Sequence, residues 1–393
     1  MANNPLLPAG ELRVALVRYR YSFHGGAERY LDELASALLS EGAQVLLLSS
    51  HWEGGKASAG IWVMVPVPWS PKWLRPLLFA RAVRKWGRKN PDWLLFSLER
   101  IPGADVYRAG DGCHAEWLRR KRPLRPVTWP LDFLRPLNLA YLYLEKSLFA
   151  SEILKSVISI SARGKEEIIR RFGMAPERIS VVYHGVRLPG DLEEGRCQAR
   201  AQLQSRFGIG KEEPVFLFVG SGFRRKGVGV LLDAAILLAT KGIPFRVIVV
   251  GKGNARPYLR RAVRGGADGR ILFAGPVSGA GDFYLGADAF LFPTIYEPFG
   301  IVCLEAMAYG LPVVTTRVCG ASEVLREGES GYILEDPFDP VSLSDRMEKL
   351  LDKDRRQDMG KAARKTAESM PKERNLRETL AVLSEAWRRK KED

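Results

Sequence analysis

Short apolar runs alternate with stretches of helical periodicity, and the alternation starts twice along the chain. In the first half, runs at Leu12 to Val17, Gln44 to Ser49, Ile61 to Val67, Trp93 to Ser97, Lys155 to Ser161 and Ile179 to His184 read as strands. Between the first two, Ala27, Tyr30, Leu31, Leu34, Ala35 and Leu38 recur at the spacing of one helical face. Residues 101 to 116 read as a strand and loop, and residues 188 to 213 as a polar, helical link. Strand, helix and strand then resume: strands at Val215 to Gly220, Phe245 to Val250, Ile271 to Ala274, Ala287 to Phe292 and Leu311 to Thr315, with helices at Val228 to Ala239 and residues 256 to 264. From Pro340 the tail is helical, with a break at Met370-Pro371. The pattern predicts an α/β chain of two Rossmann-like, doubly wound domains, 1–190 and 191–371, with a terminal helix over 372–393.

The stretch PTIYEPFGIVCLEAMAYG, Pro293 to Gly310, carries the sharpest chemical signal. A strand, a glycine turn and a helix in succession build an anion site. The amides of Phe299, Gly300, Ile301 and Val302 would converge there, with the helix dipole behind them. Pro298 suits the first helical position, where its missing N–H costs nothing. A helix from Pro298 returns Glu305 to the face where it starts, two turns on. Beside a bound phosphate, Glu297 and Glu305 are suited to accept hydrogen bonds from hydroxyls on either side of a diphosphate. Taken alone, a capping acid and a surface acid fit the same letters.

Other loops decide between these. Arg224-Arg225-Lys226-Gly227 follows the strand that opens the second domain. In a doubly wound sheet that position is the mouth of the ligand crevice, where Arg225 and Lys226 can neutralise a diphosphate. Glycine turns follow other strands, at Gly25-Gly26 and at Gly251-Lys252-Gly253. Asp111, between Gly110 and Gly112, lies past a strand end; such a carboxylate orients a hydroxyl, takes its proton, or caps the turn. Asp352-Lys353-Asp354 has the letters of a metal motif but lies in a charged helix near the tail, so no metal site is expected.

Composition narrows the class. The 393 residues carry a formal charge of +15. Residues 61 to 136 hold fifteen Lys and Arg against six Asp and Glu, a net of +9. Trp69, Trp73, Trp86, Trp117 and Trp129 interleave with these cations. Aromatic and basic residues together suit an anionic membrane surface. They also suit nucleic acid, but no nucleic-acid-binding spacing accompanies them, and that partner is not expected. Cys113, Cys197, Cys303 and Cys319 have no zinc spacing and read as reduced thiols. No signal peptide is indicated, and no apolar run reaches transmembrane length.

The string EPFGIVCLE resembles the Glu–seven residues–Glu motif of the family 4 retaining glycosyltransferases, which have the GT-B architecture. The resemblance implies two Rossmann-like domains facing an interdomain cleft, the last helix crossing back to the first. It implies that Glu297 contacts the donor sugar and Glu305 the ribose. Arg225 and Lys226 hold the diphosphate; Gly25 and Gly26 face the donor; Gly251 and Gly253 pack the base. His184-Gly185-Val186 resembles the loop that closes the first domain.

The strings SHWEGG, IPGADVYRAGDGCHAEW, GSGFRRKGV and TTRVCG resemble the lipopolysaccharide core glucosyltransferase I subfamily over most of the chain, with His24 replacing its usual aromatic. That likeness puts Asp111 on the acceptor side, as base or acceptor ligand. The expected activity is retaining, metal-independent transfer of a hexose, with glucose first, from a UDP-sugar to the inner-core heptose of lipopolysaccharide. No cofactor is implied, the UDP-sugar being substrate. The expected place is the inner face of the cytoplasmic membrane, beside a lipid-linked acceptor. Another lipid-linked or polysaccharide acceptor is the alternative, and a basic nucleic-acid-binding protein the alternative of another class.

Overall fold

The computed structural model describes residues 12–22, 26–53, 61–124 and 126–392. They form two compact units, Met1–Tyr183 with Glu373–Asp393, and His184–Lys372. The first border falls seven residues before the one read from polarity. The Val186 N–H bonds the Met370 carbonyl at 3.0 Å, which ties this stretch to the second unit.

The first unit holds β1 (Arg13–Val17), β2 (Gln44–Ser49), β3 (Ile61–Met64), β4 (Leu94–Ser97), β5 (Val106–Ala109), β6 (Ser156–Ser159) and β7 (Ile179–Val181). They lie in the order β3-β2-β1-β4-β5-β6-β7, every pair parallel. The second unit holds β8 (Val215–Val219), β9 (Arg246–Val250), β10 (Ile271–Gly275), β11 (Ala289–Phe292), β12 (Val313–Thr316) and β13 (Gly331–Leu334). Their order is β10-β9-β8-β11-β12-β13, again all parallel. Counted from its own first strand, each sheet opens 3-2-1-4-5-6, the dinucleotide-fold order. The helical crossovers cover both faces, so strands such as β4 and β11 are buried at every position and read as unbroken apolar runs.

This order fixes where function can sit. The order in which strands are added reverses between β1 and β4, and between β8 and β11. The loops leaving those strands splay apart and leave a crevice at the carboxyl edge.

The last helix, Lys372–Glu392, completes the first unit. Its Leu380, Leu383, Ala386 and Trp387 pack with Leu12, Leu16 and Phe96 in one buried cluster. Near its end, the Lys390 ammonium reaches the Asp105 carboxylate at 2.8 Å.

Several elements differ from the sequence reading. The helix after β11 spans Ile301–Ala308 and starts three residues beyond Pro298, because Gly300 takes a left-handed φ of 91° that no helix continues through. The loop after β5 ends in a helix, His114–Arg120. Strand β13 and the short helix Gly281–Gly286 have no counterpart in the periodicity.

Candidate functional site

The second unit's crevice is built by the loops leaving β8 and β11. After β8 the chain turns at Gly227, whose φ is 78°; a Cβ there would meet the Pro293 carbonyl oxygen at 1.7 Å, so only glycine lets the two loops touch. That contact brings Arg225 and Lys226 over the start of the β11 loop. The Arg225 guanidinium donates to the Tyr296 carbonyl and to Glu297 Oε2, at 2.9 and 2.8 Å. The Lys226 ammonium donates to the same carboxylate oxygen at 3.0 Å and stands 4.8 Å from the Phe292 ring centroid. Two cations therefore meet one acid.

Glu297 is held from beneath by a bridge to Cys319, its amide bonding Val318 and its carbonyl accepting from Gly320. It is thus extended backbone and not part of a helix. The two helical turns expected from Pro298 to Glu305 do not exist, since the helix begins at Ile301. Glu305 lies one turn into the Ile301–Ala308 helix, where it accepts from the Tyr284 hydroxyl at 3.1 Å. Burial, with Glu305 adding to it, holds that phenol well above its ordinary pKa and keeps it a donor.

Gly300 caps the helix without a side-chain bond, leaving the Ile301 and Val302 amides at its start. Ile301 is exposed and Val302 half-buried. Phe299 is buried, its ring 5.2 Å from His184 and its carbonyl accepting from Ala321. At the far end, Arg364 donates to the Ala308 carbonyl and Arg196 to that of Tyr309, cations set at the negative end of the dipole.

Of the other donor-side residues, Gly251 has a φ of 139° and lies where a Cβ would meet the Gly220 carbonyl oxygen at 2.2 Å. A Cβ on Gly253 would meet the Phe223 ring at 2.4 Å. Phe223, Tyr258 and Phe273 form an aromatic cluster there, a feature the sequence reading did not single out. Gly25 lies outside the described residues, and Gly26 begins the first unit's first helix, Gly26–Ser40.

The first unit's crevice is different. Arg18, just past β1, bonds Glu28 at 3.2 Å and Glu99, past β4, at 3.1 Å. Next to it, buried Arg100 bonds Glu145 at 3.2 Å and the Gly112 carbonyl at 2.7 Å. Glu145 also accepts from the His114 and Ala115 amides, capping the His114–Arg120 helix from a neighbouring helix. The loop is therefore pinned just after Asp111, while Asp111 itself is exposed. Its charge is felt by Arg18, Glu99 and Arg100. Burial raises the Glu99 pKa, Asp111 adds to that and Arg18 opposes it. Burial, then Arg100, drives His114 down to about 4, against the pull of Glu145.

The sequence reading missed Arg18, Glu28, Glu99, Arg100 and Glu145. The available signal was position: Glu99 and Arg100 lie in the loop that leaves the strand neighbouring β1.

The basic, Trp-rich segment is split by packing. Trp69 is 92% exposed and Trp73 is 42% exposed. Trp86 packs against Trp93, and the Trp129 indole donates to the Leu118 carbonyl. Val127, Leu131, Leu134, Leu139 and Tyr143 are also exposed. No helix among the described residues is long and apolar enough to cross a membrane. Asp352, in the metal-like string, caps the Lys353–Glu368 helix.

Two parallel, doubly wound sheets in this order, with a basic loop and a helix start at the second crevice, define a two-domain α/β architecture, and family models say to which class it belongs. Residues 24–188 match the model described as Glycosyltransferase Family 4, and residues 200–366 the model described as Glycosyl transferases group 1. The chain is a glycosyltransferase of the GT-B type, made of these two domains in succession. It is related to the lipopolysaccharide glucosyltransferase WaaG of Escherichia coli K12, with 26% identity over 86% of this chain and 89% of that one. The crystal structure of WaaG, a glycosyltransferase involved in lipopolysaccharide biosynthesis, matches with a TM-score of 0.78 over 94% of this chain and 98% of that one. Anabaena HepE in complex with UDP-glucose shares the fold, with a TM-score of 0.68 at 17% identity, over 94% of this chain and 98% of that one.

Proposed function

We propose that this enzyme transfers a hexose, glucose first among candidates, from a UDP-sugar to a lipid-linked inner-core heptose of lipopolysaccharide, with retention of anomeric configuration and without a metal ion. The observation that carries the reading is the meeting of Arg225, Lys226 and Glu297 beside the open start of the Ile301–Ala308 helix. A diphosphate needs fixed positive charge where the glycosidic bond breaks. Two cations and a helix start provide it without a bound ion. Glu297 keeps both cations in place before the donor arrives and turns to the sugar hydroxyls once the diphosphate takes them. Glu305, half tied by Tyr284, keeps Oε1 for the ribose. The aromatic cluster at Gly253 is the floor for the base. Asp111 orients the acceptor hydroxyl, whose proton passes to it or to the departing phosphate.

The names of WaaG and HepE support the acceptor and the donor respectively. Exposed Trp69, Trp73, Leu131 and Leu134 among Arg and Lys support attachment to the inner, anionic face of the cytoplasmic membrane.

A panel of UDP-hexoses offered with truncated lipopolysaccharide, in EDTA and in magnesium, tests the reading. The expected result is an α-linked product from UDP-glucose in both buffers, identified by NMR. A β-linked product, or activity lost in EDTA and restored by magnesium, would overturn it.

A further inference from the structure

The first unit contains a cavity of about 570 Å³ between the Arg75–Lys89 and Pro136–Phe149 helices, away from the crevice. It reaches Pro102 and Gly103, which precede β5, so it opens toward the amino edge of the sheet. Arg81, Arg84 and Arg88 line it from one helix, and Ser147 and Ser151 from across the gap. Among the described residues that line it, none is acidic, and the three arginines make no ion pair. Arg18, Arg100 and Arg171 of the same unit are, by contrast, each paired with an acid.

The site is also shaped. Gly103 has a φ of 106°, and a Cβ there would meet Arg84 Cγ at 3.0 Å. The missing side chain lets the Arg84 stem lie across the backbone, which limits where its guanidinium can point. Leu77, Leu144 and Ile153 supply apolar wall.

Both helices change character along their length. Leu77, Arg81, Arg84 and Arg88 fall on one helical stripe, apolar at its start and cationic afterwards. Leu139, Tyr143 and Ser147 recur every four residues, the first two exposed and apolar in body, the last a hydroxyl. Each helix returns from the carboxyl to the amino edge of a parallel sheet, so the apolar starts lie together and the polar ends lie together.

We propose that this cavity is a binding site for the phosphate headgroup of an anionic phospholipid, with the acyl chains leaving along Leu77, Leu139 and Tyr143. It rests on the membrane reading above but adds a defined stereochemical site to a diffuse surface charge. Three guanidinium groups and two hydroxyls suit the oxygens of a phosphodiester. The apolar end suits chains.

The test is flotation of the full-length protein with vesicles of phosphatidylcholine alone or with phosphatidylglycerol, at constant ionic strength. Arg84→Gln with Arg88→Gln should weaken binding to the mixed vesicles by about fivefold per charge removed. Ser147→Ala with Ser151→Ala leaves net charge unchanged and should still weaken it about fivefold in total. Arg119→Gln with Arg122→Gln, outside the cavity, serves as the charge-matched control. A serine variant that binds like the parent, with both arginine pairs equal, would overturn the site and leave only diffuse attraction. Inorganic phosphate bound by the parent in calorimetry and lost in the Arg84→Gln/Arg88→Gln variant, with vesicle binding unchanged by either the arginine or the serine pair, would make it a site for the free ion and overturn the lipid assignment. Equal binding of the parent to both vesicles would overturn the membrane reading itself.

Discussion

The two sheets share strand order and place their crevices alike, yet fill them in opposite ways. In the first unit, Arg18 and Arg100 are each met by acids, Glu28 and Glu99 for one and Glu145 for the other. The pairing is largely buried and closed on itself. In the second, Arg225 and Lys226 share Glu297 beside a helix start that has no side-chain cap. One crevice ties two cations to three acids and leaves no spare positive charge. The other carries spare positive charge, suited to an anion that arrives and leaves. One topology thus supplies two kinds of ground, and side-chain charge decides which.

The largest effect should come from unbalancing the closed crevice. Arg100→Ala strands the buried Glu145 and should cost about 3–5 kcal/mol of stability, read by denaturant unfolding. An effect below about 1 kcal/mol would mean that the pairing is no stronger than a surface ion pair. In the open crevice the same kind of change should spare the fold and strike the rate. Lys226→Ala should lower kcat by about 3 kcal/mol of barrier, roughly a hundredfold, with unfolding unchanged. Near-parental turnover would remove the contrast.

Asp111→Asn sharpens the comparison from the acceptor side. Donor affinity by calorimetry should hold while transfer falls by roughly tenfold or more. Lost donor binding with an intact fold would place Asp111 in the other crevice's business.

The smallest effect is a pH dependence. His114 is depressed in the folded chain to about 4, so the unfolded state binds the extra proton between there and the free imidazole value. Its contribution is therefore present at neutral pH and lost as pH falls through about 4. Melting temperatures should rise with pH across this window in the parent, and His114→Gln should flatten that slope. An unchanged slope would assign the acid sensitivity to other groups.

How much of this was legible follows from which contacts are local. The Val228–Ala239 helix matches its periodicity residue for residue, because six buried apolar side chains set its face. The helix after β11 did not, since Pro298 is a plausible first residue on propensity alone, while Gly300 takes a positive φ at a point where a Cβ would meet Cys319 Sγ at 2.8 Å, a contact distant in sequence. Arg225, Lys226 and Glu297 were legible as loop residues past strands. Their direct contact was not, for it depends on β8 and β11 being neighbours. The Arg18, Glu99 and Arg100 network spans 80 residues and more, and no spacing rule reaches across a sheet order that is itself unknown.

The last helix has a consequence for synthesis. Residues 1–183 leave the ribosome long before Leu380, Leu383 and Trp387 exist to cover Leu12, Leu16 and Phe96. The continuous second unit can close as soon as it has emerged, whereas the first must wait with an apolar face open. The order of maturation is thus the reverse of the order of translation. A stop codon before residue 380 would leave a finished second unit tethered to a first that never seals, and chaperone dependence should centre on that interval.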